Sequence, residues 1–274
     1  MLEIPESLTL AKQLNDTVMG KKIIAAEAAH TPHAFAWYAG DPARYSEIME
    51  GCIVGESNSI GSMVEMKLDE YSFVVGDGTN VRYYAAGEKL PERYQTRITL
   101  DDDSSLICTV QMYGAMFLVR PEIYDNPYYL AGVQKPLPGT ENFDYEYFTS
   151  LRENVSGNMS IKGFLATQQR IPGLGNGVLQ DILLQAGLHP KKKIGTFTES
   201  RWKQVYQAVV ETLAKMTAAG GRDTEKNLFG EKGRYATMLS KKTYGKECPY
   251  CGNIIQKANY MGGTVYYCPG CQEV

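Results

Sequence analysis

Four of the chain's six cysteines lie within its last 27 residues, as Cys248-Pro-Tyr-Cys251 and, sixteen residues later, Cys268-Pro-Gly-Cys271. Two tight turns at that spacing can hold four thiolates on one tetrahedral ion, the ligand set of a zinc ribbon. Four protein ligands leave no coordination position for water, so the pattern predicts one structural Zn2+ per chain and no metal chemistry. In a reducing compartment, paired Cys-x-x-Cys units read as metal ligands and not as a disulfide framework. Between the pairs, residues 254–257 and 264–267 read as the strands of a hairpin with Gly262-Gly263 at its tip.

The 274 residues suffice for two cores of modest size. No run of about 18 apolar residues occurs, and Glu3 and Glu6 stand where a signal peptide carries basic residues. A cytoplasmic protein is expected, associated with the nucleoid if bacterial. The net charge of −3 conceals a division: residues 1–150 hold 11 Lys+Arg against 22 Asp+Glu, and residues 151–274 hold 17 against 9. An excess of cations confined to the second half points to a polyanionic partner for that half. Lys191, Lys192, Lys193, Arg222, Lys226 and Lys232 are among the residues that carry it. Isolated Cys52 and Cys108, in apolar surroundings, read as buried small hydrophobes.

A short first helix is expected from Pro5, a favoured first-turn residue, with Leu8, Ala11 and Leu14 at helical spacing. From Lys22 to Val119 short β-rich runs follow, at 23–28, 63–68, 72–75, 96–100, 105–109 and 115–119, separated by Gly, Asp and Asn turns. This is the pattern of an antiparallel sandwich or barrel-like domain. Residues 125–142, rich in proline and without periodicity, read as a linker. Helices dominate afterwards: Trp202, Val205, Tyr206, Val209, Val210, Leu213 and Met216 form an apolar stripe of core type. The expected class is α+β, with a sandwich domain at 1–124, the linker, a helical domain at 143–245 and the zinc finger at 246–274.

Within 161–190 a helix, a turn at Pro172 to Gly175 and a second helix opening at Asn176 would leave backbone N–H groups and a capping amide pointing outward, a seat for phosphate. Several motifs together resemble those of the formamidopyrimidine-DNA glycosylase and endonuclease VIII family, and its endonuclease VIII-like members in particular. They are Gly173-Leu-Gly-Asn176, Ala186-Gly-Leu-His-Pro190, Tyr244-Gly-Lys246, the four cysteines and the opening Glu3-Ile-Pro-Glu6. The resemblance covers nearly the whole chain. It implies a β-sandwich joined to a helix-two-turn-helix domain with a zinc finger. It also implies double-stranded DNA with damaged or abasic sites as the partner of a monomer, and excision of oxidised bases from a flipped nucleotide. Family members attack with an N-terminal proline amine and cleave by elimination. By position, Glu3 is the family's acid/base carboxylate, Lys162, Gly175, Asn176, Tyr244 and Lys246 fall where the family grips phosphates, and Gln111, Met112 and Tyr113 fall where it wedges into the duplex.

The departures from that pattern cluster on the working surface. Leu2 stands at the nucleophile position, and Met1, if retained, places the α-amine one residue too far along. Ser62 stands for a hairpin lysine, Gly76-Asp77-Gly78-Thr79 for a turn whose methionine fills the flipped base's place, and Gly263 for the arginine of the zinc hairpin. Each lost cation removes a phosphate contact and flattens the salt dependence of binding by roughly 0.9 log units. The reading is a binder of damaged or abasic DNA with glycosylase and lyase activity weak or lost. The alternative is a structured-RNA or protein-interaction module on the same scaffold, with the acidic first half as its interaction face.

Overall fold

The structure is a computed structural model that describes residues 2–76 and 78–272; Met1 and Asp77 lie outside the described residues. It opens on helix α1 (Ile4–Thr17). The helix starts one residue before Pro5 and is longer than its sequence suggests, because Glu3 is extended and Pro5, which needs no backbone donor, fits the first turn. Leu10, Ala11 and Leu14 bury one face, while Leu8 points to solvent.

Nine strands follow: β1 (Ile23–Ala28), β2 (Ala36–Tyr38), then, after the short helix α2 (Tyr45–Met49), β3 (Val54–Ile60), β4 (Met63–Leu68), β5 (Tyr71–Val75), β6 (Thr79–Tyr84), β7 (Thr96–Leu100), β8 (Ser105–Val110) and β9 (Gly114–Val119). They make a four-stranded sheet, β1-β7-β8-β6, and a five-stranded sheet, β2-β9-β5-β4-β3. All pairings are antiparallel except β2 with β9. Alternate residues face inward, so Val64, Met66 and Leu68 of one sheet meet Ile98, Leu100, Leu106 and Cys108 of the other, with Leu10, Leu14 and Val18 closing the end. This is the expected sandwich.

Residues 126–134 depart from the linker reading. Helix α3 (Pro127–Gln134) forms there, because the Asn126 side chain accepts from the Tyr128 and Tyr129 N–H groups and Pro127 occupies the first turn. Tyr129 is buried and donates its hydroxyl to the Glu65 carboxylate at 2.8 Å, fixing the segment to the back of β4.

The second half contains α4 (Tyr145–Ser150), α5 (Ile161–Ala166), α6 (Asn176–Gln185) and α7 (Glu199–Ala218). The expected stripe on α7 is core: Trp202, Val205, Val209, Leu213 and Met216 pack with Phe148, Phe164, Val178 and Ile182. Two strands, β10 (Gln256–Tyr260) and β11 (Gly263–Tyr267), form the terminal hairpin. Its tip is Met261-Gly262, both at positive φ, rather than Gly262-Gly263; Gly263 already pairs with Tyr260.

Several contacts join the halves. Leu2 packs in the sandwich core and Ile4 in the helical core, so the start of α1 is shared between them. Gly61, between β3 and β4, lies against Pro172 and Gly173, and Ile4 N–H donates to Gly173 O at 3.1 Å. A strap, residues 219–235, leaves α7 and crosses onto the sandwich, where Leu228 is fully buried and its carbonyl accepts from Tyr83 N–H at 3.0 Å. Arg222 N–H begins the strap by donating to Glu6.

At Gly173 the backbone is left-handed (φ 82°), and an added Cβ would overlap the backbone of Gly61. Gly173→Ala is therefore expected to lower the unfolding free energy by about 2–4 kcal/mol, from αL strain and overpacking together, in a urea titration. An unchanged titration would show that the two turns do not hold this approach in solution.

Candidate metal centre and nucleic-acid interface

The Sγ atoms of Cys248, Cys251, Cys268 and Cys271 all lie within 4.8 Å of one another. Cys248 Sγ is 3.7 Å from Cys271 Sγ, and Cys251 Sγ is 3.3 Å from Cys268 Sγ. A tetrahedral ion bonded to sulfur at about 2.3 Å needs sulfurs spaced close to these values. The turns are built for it: Cys248 O accepts from Gly252 N–H, and Gln272 accepts from Cys268 N–H while donating to Leu188 O. The sequence-predicted ligands thus converge, in a small cluster with Leu239 and Ile255.

The hairpin standing on this cluster is clasped by the helix pair. Lys162 Nζ donates to Tyr260 O and to Asn176 Oδ1, each at 2.9 Å, and Asn176 Nδ2 donates to Thr264 O at 2.9 Å. Gln180 adds a donor to Thr264 O and accepts from Tyr266 N–H. Lys162 is buried, and burial lowers its pKa. Gly263, opposite, brings no cation to Lys162 and Asn176, which lie against it. The outward N–H groups expected at the start of α6 are instead satisfied from within. Glu3 accepts from Gly177 N–H at 2.9 Å and Val178 N–H at 2.7 Å. A Cβ on Gly175, the residue that caps α6, would meet Glu3 Oε1 at 2.6 Å, so glycine there makes room for the carboxylate.

Glu3 shares its position with a second carboxylate. Arg222 reaches Glu6 at 2.7 Å and Glu3 at 3.4 Å, all three side chains being buried. Arg222 is therefore not part of the basic surface that its sequence suggests. Burial opposes charge on Arg222, and the two glutamates hold its pKa above the usual arginine value. Burial likewise raises the pKa of Glu3, partly offset by Arg222, as expected where two carboxylates share one guanidinium. Leu2, at the position of the expected nucleophile, lines the adjoining recess with Glu6, Arg82, Gly221, Arg222 and Asn227. Strap and helix leave about 30 Å³ there, room for a water or two.

Across the mouth, the turn 111–113 projects from the sandwich, with Gln111 exposed and Met112 74% exposed. Behind it lies an open groove of about 410 Å³, lined by Asn80, Arg82, Gln111, Tyr113, Lys226 and Lys232. Tyr244 is exposed, with Lys257 Nζ 4.4 Å from its ring centre, and Lys246 is exposed beside it. Sequence reasoning missed the strap, whose polar residues carry no periodicity, and with it the buried Arg222.

No protein-family model matches the chain. It is 26% identical over 280 residues to a formamidopyrimidine-DNA glycosylase of Streptococcus pneumoniae, covering 100% of this chain and 99% of that one. It is likewise 26% identical over 281 residues to a protein of the same name from Lactococcus lactis, covering both chains completely. In three dimensions it resembles Lactococcus lactis Fpg solved with DNA containing an abasic site, at a TM-score of 0.83, 23% identity and coverage of 99% of this chain. Over its full length the chain is thus similar in sequence to formamidopyrimidine-DNA glycosylases, and it shares the fold of Lactococcus lactis Fpg.

Proposed function

We propose that this protein binds double-stranded DNA at damaged or abasic positions while its base-excision activity is weak or lost. The observation that carries this reading is the narrow recess beside Leu2. About 30 Å³ remains where the strap, α1 and the sandwich meet, against the several hundred Å³ of pockets that take small ligands. A flipped base has no cavity there, and a leucine side chain packs where the family's proline amine would stand. Glu3 is spent on the N–H groups of α6 and on Arg222. What remains outward is a surface for a polyanion: the turn 111–113, the groove with Arg82, Lys226 and Lys232, and Tyr244 with Lys246 and Lys257. We infer that the four thiolates hold one Zn2+, which fixes the hairpin of that surface and supplies no chemistry.

Two measurements on one preparation test this reading. In mobility shifts at low salt, a duplex with a tetrahydrofuran abasic analogue is expected to bind more tightly than the intact duplex. Borohydride is expected to trap little or no covalent adduct on abasic DNA under conditions where an active relative reacts. Efficient trapping would overturn the loss of activity, and equal, negligible affinity for both duplexes would overturn DNA binding itself.

A further inference from the structure

Strand β2 and the residue just before it bring two large aromatic side chains, Trp37 and Phe35, to the surface beside the turn 111–113. Its parallel pairing sets Ala36 opposite Gly114 and Trp37 opposite Ala115, and Phe35 O accepts from Gly114 N–H at 2.9 Å. Trp37 lies 5.9 Å from the ring of Tyr113, at a tilt of 32°. Phe35 is 59% exposed, Trp37 48% and Met112 74%. The chain's other tryptophan, Trp202, is in the helical core. Trp37 against the half-buried Tyr113, with exposed Phe35 and Met112 next to them in the same two segments, leaves apolar area in water, which in a folded chain marks a surface with a partner.

We propose that Phe35, Trp37, Met112 and Tyr113 form a platform on which unpaired DNA bases stack when a duplex carries a bulge or a single-stranded stretch. The inference rests on the DNA-binding reading. Two features select nucleic acid over a protein partner. The platform is continuous with the turn that faces the proposed duplex, and the groove behind that turn carries Arg82, Lys226 and Lys232 against one acid, Glu225, among the described residues. Rings beside cations are the arrangement with which proteins hold single strands, stacking bases and tracking the phosphates. The occupant is thus a short unpaired segment next to the bound duplex, with its bases on Trp37 and Phe35 and its backbone toward the groove.

Trp37 supplies its own reporter, since Trp202 is out of reach of a surface ligand. Titrating the full chain with a duplex bearing a short bulge is expected to quench tryptophan emission, and with a blunt intact duplex to leave it nearly unchanged. Trp37→Ala is expected to weaken binding of the bulged duplex about 10-fold, the loss of one stacked base, and to leave affinity for the abasic duplex within about 2-fold. Trp37→Tyr should keep most of the preference. Phe35→Ala, at the neighbouring position outside the strand, repeats the test if Trp37→Ala lowers folding. Absent quenching and an unchanged bulge affinity in Trp37→Ala, with the abasic duplex still bound, would overturn the platform alone. A Trp37-dependent dimer in ultracentrifugation, with DNA affinities unaltered, would also overturn it in favour of self-association. Failure of every duplex to bind would overturn both readings together.

Discussion

Arg222→Met is expected to lower the unfolding free energy at neutral pH by about 3–5 kcal/mol, the cost of leaving buried charge without its partner. Glu3 and Glu6 would both remain in the interior, with only N–H donors to face. The deficit should shrink as the solution is acidified. Burial already raises the pKa of Glu3, and without Arg222, which offsets that rise, its folded-state pKa stands further above the unfolded value near 4.3. The folded variant therefore takes up protons first, and its stability rises as pH falls toward the unfolded value. Urea titrations of both proteins at neutral pH and near pH 5 check this. The loss should extend beyond the ion triad, because Arg222 anchors the strap and the strap carries Leu228 into the sandwich core. Limited proteolysis should then cut within 223–232. A variant that unfolds like the parent at every pH would show that the triad does not hold the halves together.

Removing the metal from the four cysteines, by a strong chelator under reducing conditions or by Cys268→Ser, is expected to melt the hairpin, since structural zinc contributes on the order of 10 kcal/mol to such modules. The damage should reach α5 and α6. Lys162, Asn176 and Gln180 spend their polar groups on hairpin backbone, and Lys162 is buried only while the hairpin covers it. Hydrogen exchange should lose protection across β10 and β11 and at the start of α6, with affinity for abasic duplex falling at least 10-fold. One metal ion per chain is expected in the intact protein by elemental analysis. Unchanged exchange in the hairpin after complete metal removal would contradict a structural role.

How much of this could be read from the chain depends on which physics set each element. The cysteine spacing determines a ligand geometry by itself, and the four sulfurs converge as expected. The period-2 runs at 63–68 and 96–100 announce strands because one face of each is buried. Strand β3, Val-Gly-Glu-Ser-Asn-Ser-Ile, does not, since its polar residues are satisfied by α1: Asn15 pairs with the backbone of Ser57, and Ser7 with Ser59. Helix α3 is hidden by Pro127, which reads as a breaker yet sits at its first turn. The candidate site was legible as a set of positions and not as a set of roles. Lys162, Asn176 and Glu3 carry polar groups that a local reading aims at solvent, whereas their partners lie 88 to 175 residues away or on the hairpin. Arg222 looks like surface charge for the same reason.

The approach of Gly61 to Gly173 bears on compliance. Two backbones that touch without intervening side chains have no soft rotamers to absorb a displacement, and the shared start of α1 and the strap brace the same seam. Opening or closing the halves would require breaking main-chain packing rather than sliding one surface over another. A ligand seated across such a seam must supply the deformation itself. For a duplex, that makes bendability a part of recognition: sequences and lesions that kink at little cost are favoured even where no side chain reads a base.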